Sequence, residues 1–226
     1  MTVFGKDQVE PPYLKLGWLG HAMFLLQDDK GTRVVTDPYD PSIGYPLPQV
    51  DADVVLVSHD HYDHSNTSAV GGRPAVIKNP GVSEAAGITF KGMPTYHDGS
   101  SGAERGPNLV FHWEMGGLRV AHLGDLGHML SPAQAEELGG VDVLMLPVGG
   151  TYTIDGNQAS RLVKALSPRI AIPMHYKTDR LTFPITGVDD FASDFQAVLR
   201  AGKRYVYLSR EDLPDGTTIL LLDYLA

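Results

Sequence analysis

His59-Asp60-His61-Tyr62-Asp63-His64, delivered off the apolar run Val54-Val55-Leu56-Val57 and flanked by Ser58 and Ser65, decides how this chain is read. Three imidazoles and two carboxylates fall within six positions. Histidine brings no helix or strand advantage, and clustered rings repel whenever two are protonated. Neutral imidazoles and carboxylates at such spacing are the donors that divalent metals take. His59 and His61 are two apart, so at an extended strand end they point to the same side. Asp63 and His64 follow where the chain must turn and can reach a second position nearby. The stretch reads as a metal site for two ions.

Bulk properties frame that reading. The chain has 226 residues, 42% hydrophobic and 20% charged, the balance of a globular protein with a full core. No linker, short repeat or low-complexity tract interrupts it, so residues 1–226 are expected to form one domain. A net charge of −9 argues against nucleic acid as the main partner, which calls for a basic stripe. It leaves a small anionic substrate open, because bound ions make the site itself positive. There are no cysteines, which excludes thiolate ligands and a cysteine nucleophile and leaves nitrogen and oxygen donors. Met1 to Pro12 is polar, unlike a signal peptide, and no apolar stretch approaches the ~20 residues of a membrane span. A cytoplasmic protein without membrane contact is expected, with self-association left open.

The amino-terminal third reads as strands: Leu14 to Trp18, Ala22 to Leu26 and Arg33 to Thr36, the last two joined by a turn at Asp28-Asp29-Lys30-Gly31. Asn108 to Glu114 and Leu118 to Leu123 flank a hairpin turn at Gly116-Gly117. Ser131 with Gln134 caps a short helix ending near Gly139-Gly140, and Asp155 with Gln158 caps one running to about Leu166. A third helix is expected from Asp189 to Leu199, with Phe191, Phe195 and Val198 on one face. Val143 to Leu146 and Ile170 to Ile172 are fully apolar, as in strands covered on both sides. The pattern predicts an α/β sandwich of two β layers with helices outside. Gly99 to Pro107 is the expected mobile loop.

Ligands in such folds gather beyond the carboxyl ends of strands. Val34–Thr36 leads to Asp37, Val120–Leu123 to Asp125, Val143–Leu146 to Gly149-Gly150 and Ile170–Pro173 to His175. Asp125 is placed where a carboxylate can bridge two ions, His175 as a ligand, and His97 as the third histidine of the first ion. Asp37 is read as an acceptor that fixes a ligand imidazole. His21, after Gly17-Trp18-Leu19-Gly20, is read as a substrate contact. His128 is undecided, and His112 and His122 are structural.

These residues resemble the metallo-β-lactamase superfamily, whose His-x-His-x-Asp-His signature is matched by His59, His61, Asp63 and His64, with His97, Asp125 and His175 following in order. The resemblance implies a four-layer αββα sandwich and two divalent ions, zinc or manganese first and iron, nickel or cobalt next. It places His59, His61 and His97 on one ion, Asp63, His64 and His175 on the other, and Asp125 between them. Segments such as Trp18-Leu19-Gly20-His21 and Pro173-Met174-His175-Tyr176-Lys177 are similar to the branch containing bacterial ascorbate-6-phosphate lactonase and related hydrolases. The chain lacks the thiolate of cysteine-bearing β-lactamases and the flavin domain of flavodiiron proteins. The implied reaction is attack of a metal-bridging hydroxide on a small ester, lactone or phosphodiester. Asp63, Asp125 and His21 are its expected catalytic residues, and His21, Lys177 and Arg105 the candidate substrate contacts. A mononuclear iron oxygenase, in which His64 and His175 are not both ligands, and a non-catalytic metal-binding module are the alternatives.

Overall fold

Leu14, Leu16 and Trp18 face one way along the first strand and enter the main core, and this period of two organises the whole amino-terminal region. A computed structural model describes residues 10–203 and 205–224; the polar start, read above as no leader, lies outside it through residue 9. The chain opens with β1 (Leu14–Gly20), β2 (Met23–Asp28), β3 (Arg33–Thr36), β4 (Val50–Asp51), β5 (Val54–Leu56), β6 (Val70–Gly71) and β7 (Ala75–Ile77). Next come β8 (Gly81–Ala85), β9 (Ile88–Tyr96), β10 (Pro107–Met115) and β11 (Leu118–His122). Helices then intervene: α1 (Pro132–Glu137), β12 (Val143–Pro147), α2 (Gly156–Leu166), β13 (Ile170–Met174) and α3 (Asp189–Ala192). β14 (Val198–Arg200), β15 (Val206–Leu208) and β16 (Thr218–Leu221) complete it.

Two mixed sheets result, ordered β15-β1-β2-β3-β5-β7 and β14-β16-β13-β12-β11-β10-β9-β8. Leu16, Phe24, Val34 and Leu56 of the first share one core with Phe111, Val120, Leu144 and Ile172 of the second. Each such side chain contributes roughly 1.5–3 kcal/mol by leaving water. The other face of the first sheet, including Met23, Val35 and Val55, packs with Tyr39, Ile43, Tyr45 and Leu181. α2 is the crossover between parallel β12 and β13 and buries Leu162 and Val163 in the main core. Both expected capping boxes form, at Ser131 with Gln134 and at Asp155 with Gln158.

The fold is the expected four-layer sandwich, with two local differences. The crossovers from β3 to β5 and from β5 to β7 hold no α-helix, only the 3-10 turns Pro41–Ile43 and Thr67–Ala69 and the short strands β4 and β6, which pair in parallel with each other, so turns, loops and this small ladder cover the first sheet. Pro41, Gly44, Pro46 and Pro48 lie too close together for a helix to propagate between them. The third helix also stops at Ala192: Phe191 and Phe195 pack 5.2 Å apart, but Val198 to Arg200 pair in parallel with Ile219 to Leu221 as an edge strand. Sheet pairing outcompetes a helical face that only three apolar residues support. Among the described residues no helix is long and apolar enough to cross a membrane.

Candidate metal centre

β3, β5, β9, β11 and β13 deliver the site. Asp37 follows β3, Ser58 and His59 follow β5, His97 follows β9, Asp125 follows β11 and His175 follows β13. The strand β5 ends at Leu56, so His59 and His61 meet in the turn beyond it rather than on a strand. Their facing atoms, His59 Nε2 and His61 Nδ1, lie 3.1 Å apart. A sharp turn at Gly124 (φ +54°) aims Asp125, and a Cβ there would overlap Asn108 Oδ1 and the Ser58 side chain. Asn108 Oδ1 in turn accepts from the Asp125 N–H at 2.9 Å.

The donor atoms gather in overlapping groups: His59, His61 and His97; His59, His64 and Asp125; and His21, Asp63, His64 and His175. Asp125 Oδ2 is the shared centre. It lies 3.2 Å from His97 Nε2, 3.2 Å from His175 Nε2, 3.3 Å from His64 Nε2 and 4.0 Å from His59 Nε2. Asp63 Oδ2 stands 3.6 Å from His64 Nε2. Every residue that the resemblance puts on metal is therefore in the cluster.

Outer partners set the tautomers. Asp37 Oδ2 accepts from His64 Nδ1 at 2.9 Å and from Ser58 Oγ at 2.7 Å, while Oδ1 accepts from Ser58 N at 2.7 Å. Ser58 Oγ, its proton given to Asp37, can accept from His59 Nδ1 at 2.9 Å. His97 Nδ1 donates to Tyr152 O at 3.1 Å. With Nδ1 protonated in each, the Nε2 lone pairs of His59, His64 and His97 are left to face inward. His64 Nε2 and Asp125 Oδ1 are buried and have no hydrogen-bond partner. Buried polar atoms without partners are costly, and a cation among them satisfies all at once. The donor set fits divalent metal.

Electrostatics agree with this. Burial opposes the charge of Asp125, but His175 and His64 outweigh it and hold the carboxyl well below the ordinary range. Burial likewise opposes ionised Asp63, and His64 and the His21 hydrogen bond overcome it. Burial and His64 push His59 down to about 3, and burial and His175 push His21 down to about 4. Burial also works against a charged His64, yet Asp125 and Asp63 raise it well above the usual histidine value. Ionised carboxylates beside the neutral His59 and His21 rings attract a cation, which takes over the charge a His64 proton would otherwise supply.

A cavity of about 500 Å³ opens onto the cluster, with Asp63, His97, Asp125 and His175 on its floor and Tyr62, Arg105, Tyr152 and Phe183 among its walls. Arg105 lines it, its guanidinium 5.3 Å from the Tyr152 ring centre. The other two expected substrate contacts are corrected. His21 is 1% exposed and off the cavity wall, its Nε2 3.1 Å from Asp63 Oδ2. Lys177 is not among the lining residues, and its Nζ donates to Phe183 O at 2.9 Å. The loop after Asp98, expected to be mobile, is gathered by that carboxylate, which accepts the N–H groups of Ser100, Gly102, Glu104 and Arg105. His122 bonds Ala22 O, His128 accepts from Tyr96 N, and His112 approaches Glu137, all away from the ligand groups.

Ser58, Asn108, Asp98 and Tyr152 were not singled out by sequence. Ser58 adjoins the histidine motif, but the roles of the others depend on tertiary contacts that no local pattern carries.

The family described as the beta-lactamase superfamily domain matches residues 15–175, from β1 to the last expected ligand. The chain is 31% identical to a UPF0173 protein of Pyrococcus furiosus, over 88% of this chain and 96% of the relative. It is 30% identical to a UPF0173 metal-dependent hydrolase of Carboxydothermus hydrogenoformans, over 83% and 93%. A Thermotoga maritima structure, described as a Zn-dependent hydrolase of the metallo-β-lactamase superfamily, shares 41% identity at a TM-score of 0.78, covering 94% of this chain and all of that one. The chain belongs to the metallo-β-lactamase superfamily. Within it, the chain falls in the UPF0173 group of metal-dependent hydrolases.

Proposed function

We propose that the protein hydrolyses a small ester, lactone or phosphodiester at a pair of divalent ions, zinc or manganese. The observation that carries this reading is the position of Asp125 Oδ2, within 3.3 Å of His97 on one side and of His64 and His175 on the other. His59, His61, His97 and Asp125 would hold the first ion, and Asp63, His64, His175 and Asp125 the second. Such ions, when bound, act as Lewis acids and lower the pKa of water towards neutrality. Asp125 would keep the two positions in register, and Asp63, on the cavity floor, would orient a water as well as bind. Asp37 and Ser58 hold His64 and His59 in the ligating tautomer.

Arg105 is the one lysine or arginine on the cavity wall among the described residues, and it supports an anionic group on the substrate. Tyr152 and Phe183, 5.9 Å apart and nearly perpendicular, offer an apolar surface beside it. The cavity size suits a small molecule. The mononuclear oxygenase alternative needs His64 or His175 to stand outside the ligand set, and both approach the same Asp125 oxygen instead. The test is turnover of esters, lactones and phosphodiesters by protein stripped with chelator and reloaded with zinc or manganese. Reloaded protein inactive on all three classes while its metal sites are full would contradict the proposal.

A further inference from the structure

The superfamily pattern gives His21 no metal to hold, yet the structure encloses it in the second ligand group. Its donor atom lies within 4.8 Å of those of Asp63, His64 and His175. The side chain is 0% exposed, and its ring centre is 4.2 Å from that of His175 and 4.9 Å from that of His64. Considerable local distortion aims it there. His21 has φ +53° and His175 φ +51°, both in a region uncommon for non-glycine residues. The two are tied together by the His175 N–H donating to His21 O at 3.2 Å, and Trp18 Nε1 donates to the same oxygen at 3.0 Å. Gly20, at φ +115°, makes the preceding turn, where a Cβ would come within 2.8 Å of the Tyr45 ring.

Donors sharing one ion at ~2.1 Å stand roughly 3–4 Å apart. His21 Nε2 to Asp63 Oδ2 is 3.1 Å, alongside 3.6 Å for His64 to Asp63 and 3.2 Å for His175 to Asp125. His21 also repeats the arrangement of His175: Nε2 faces a carboxylate while Nδ1 is buried without a partner. We propose that His21 is itself a ligand of the second ion through Nε2, joining His64, His175, Asp63 and Asp125. The inference rests on the two-ion reading above. It makes the two positions unequal. The first has His59, His61, His97 and Asp125, a set suited to tetrahedral zinc, whereas five protein donors at the second favour an ion of higher coordination number such as manganese or iron.

The competing role is a hydrogen-bond donor that merely orients Asp63. Loss of such a partner weakens metal binding about 10–100-fold, so affinity alone does not separate the two roles. Cobalt(II) reports coordination directly. Wild type and His21→Gln, loaded with increasing cobalt, are compared by visible absorption and by paramagnetically shifted imidazole N–H resonances. Gln retains a donor for Asp63 but no imidazole. The expected result is that the weak bands of a five- or six-coordinate second cobalt intensify several-fold in His21→Gln and one shifted imidazole resonance disappears. Bands and resonances unchanged from wild type, whatever the affinity, would overturn the assignment. If wild type takes a single cobalt, the two-ion reading fails, and the same comparison at that ion still decides the role of His21. If His21→Gln does not fold, the wild-type spectrum decides: a shifted resonance beyond those of His59, His61, His64, His97 and His175 supports a sixth histidine ligand, and its absence overturns it.

Discussion

Replacing Asp37 with Asn changes one atom in a buried residue and reaches both ligand groups. Asp37 is 1% exposed and accepts three hydrogen bonds, from Ser58 N, Ser58 Oγ and His64 Nδ1. With the amide nitrogen in the place of Oδ2, His64 Nδ1 faces a donor and must give up its proton to Nε2, the atom that would bind metal. Ser58 Oγ must accept from the amide and turn its own proton to His59 Nδ1, which moves the His59 proton to Nε2 as well. Flipping the amide instead sets its donor against the buried Ser58 N–H, at a cost of about 1–3 kcal/mol. One histidine of each ion is thus driven into the wrong tautomer. Loss of an outer partner costs about 10–100-fold in metal affinity, or roughly 1.4–2.7 kcal/mol. We expect that loss at both positions, measured by competition with a chromophoric chelator while circular dichroism confirms the fold. Binding of both ions within roughly threefold of wild type, well short of the outer-partner range, would refute this chain of tautomers.

Further outcomes follow from the same contacts. Chelated protein should be most heat-stable near pH ~6.5, the unfolded histidine value. His59 and His21, at about 3 and about 4 when folded, bind protons more weakly than in the unfolded chain, so stability rises with pH below that point. The raised His64 contributes stability that is lost as pH climbs through its folded pKa, and saturating metal should remove this alkaline decline. A melting temperature of chelated protein that climbs steadily above pH ~6.5 contradicts it. Gly124→Ala overlaps Asn108 and Ser58 and should cost about 1–3 kcal/mol, lowering Tm by several degrees in a scanning experiment. An unchanged Tm would mean the turn has slack. Arg105→Ala should raise KM for an anionic substrate about tenfold or more with metal content intact. An effect on kcat alone would remove Arg105 from substrate binding.

What could be read from sequence was whatever local chemistry dictates. The candidate ligand residues stood out because apolar strands ended on histidines and carboxylates, and the two capping boxes were visible because Ser131 and Asp155 carry Gln three residues on. The third helix misled because Phe191, Phe195 and Val198 suit a helical face, and only the later pairing with β16 shows that Val198 belongs to a strand. His21 misled for a different reason. Sequence placed it near the site, but the left-handed turn that sends its ring towards Asp63 instead of the cavity depends on Trp18 and His175 meeting its carbonyl. Lys177 looked free for the same reason: its partner, Phe183 O, lies in a loop whose return path the sequence does not disclose.

Metal content and turnover of one preparation test the central claim most directly. Wild type, stripped and reloaded with redox-inert zinc or manganese, should hold about two ions per chain and regain hydrolysis, while Asp125→Ala, lacking the shared carboxylate, should lose both ions. One ion per chain, with activity restored only by iron and accompanied by oxygen consumption, would contradict the account.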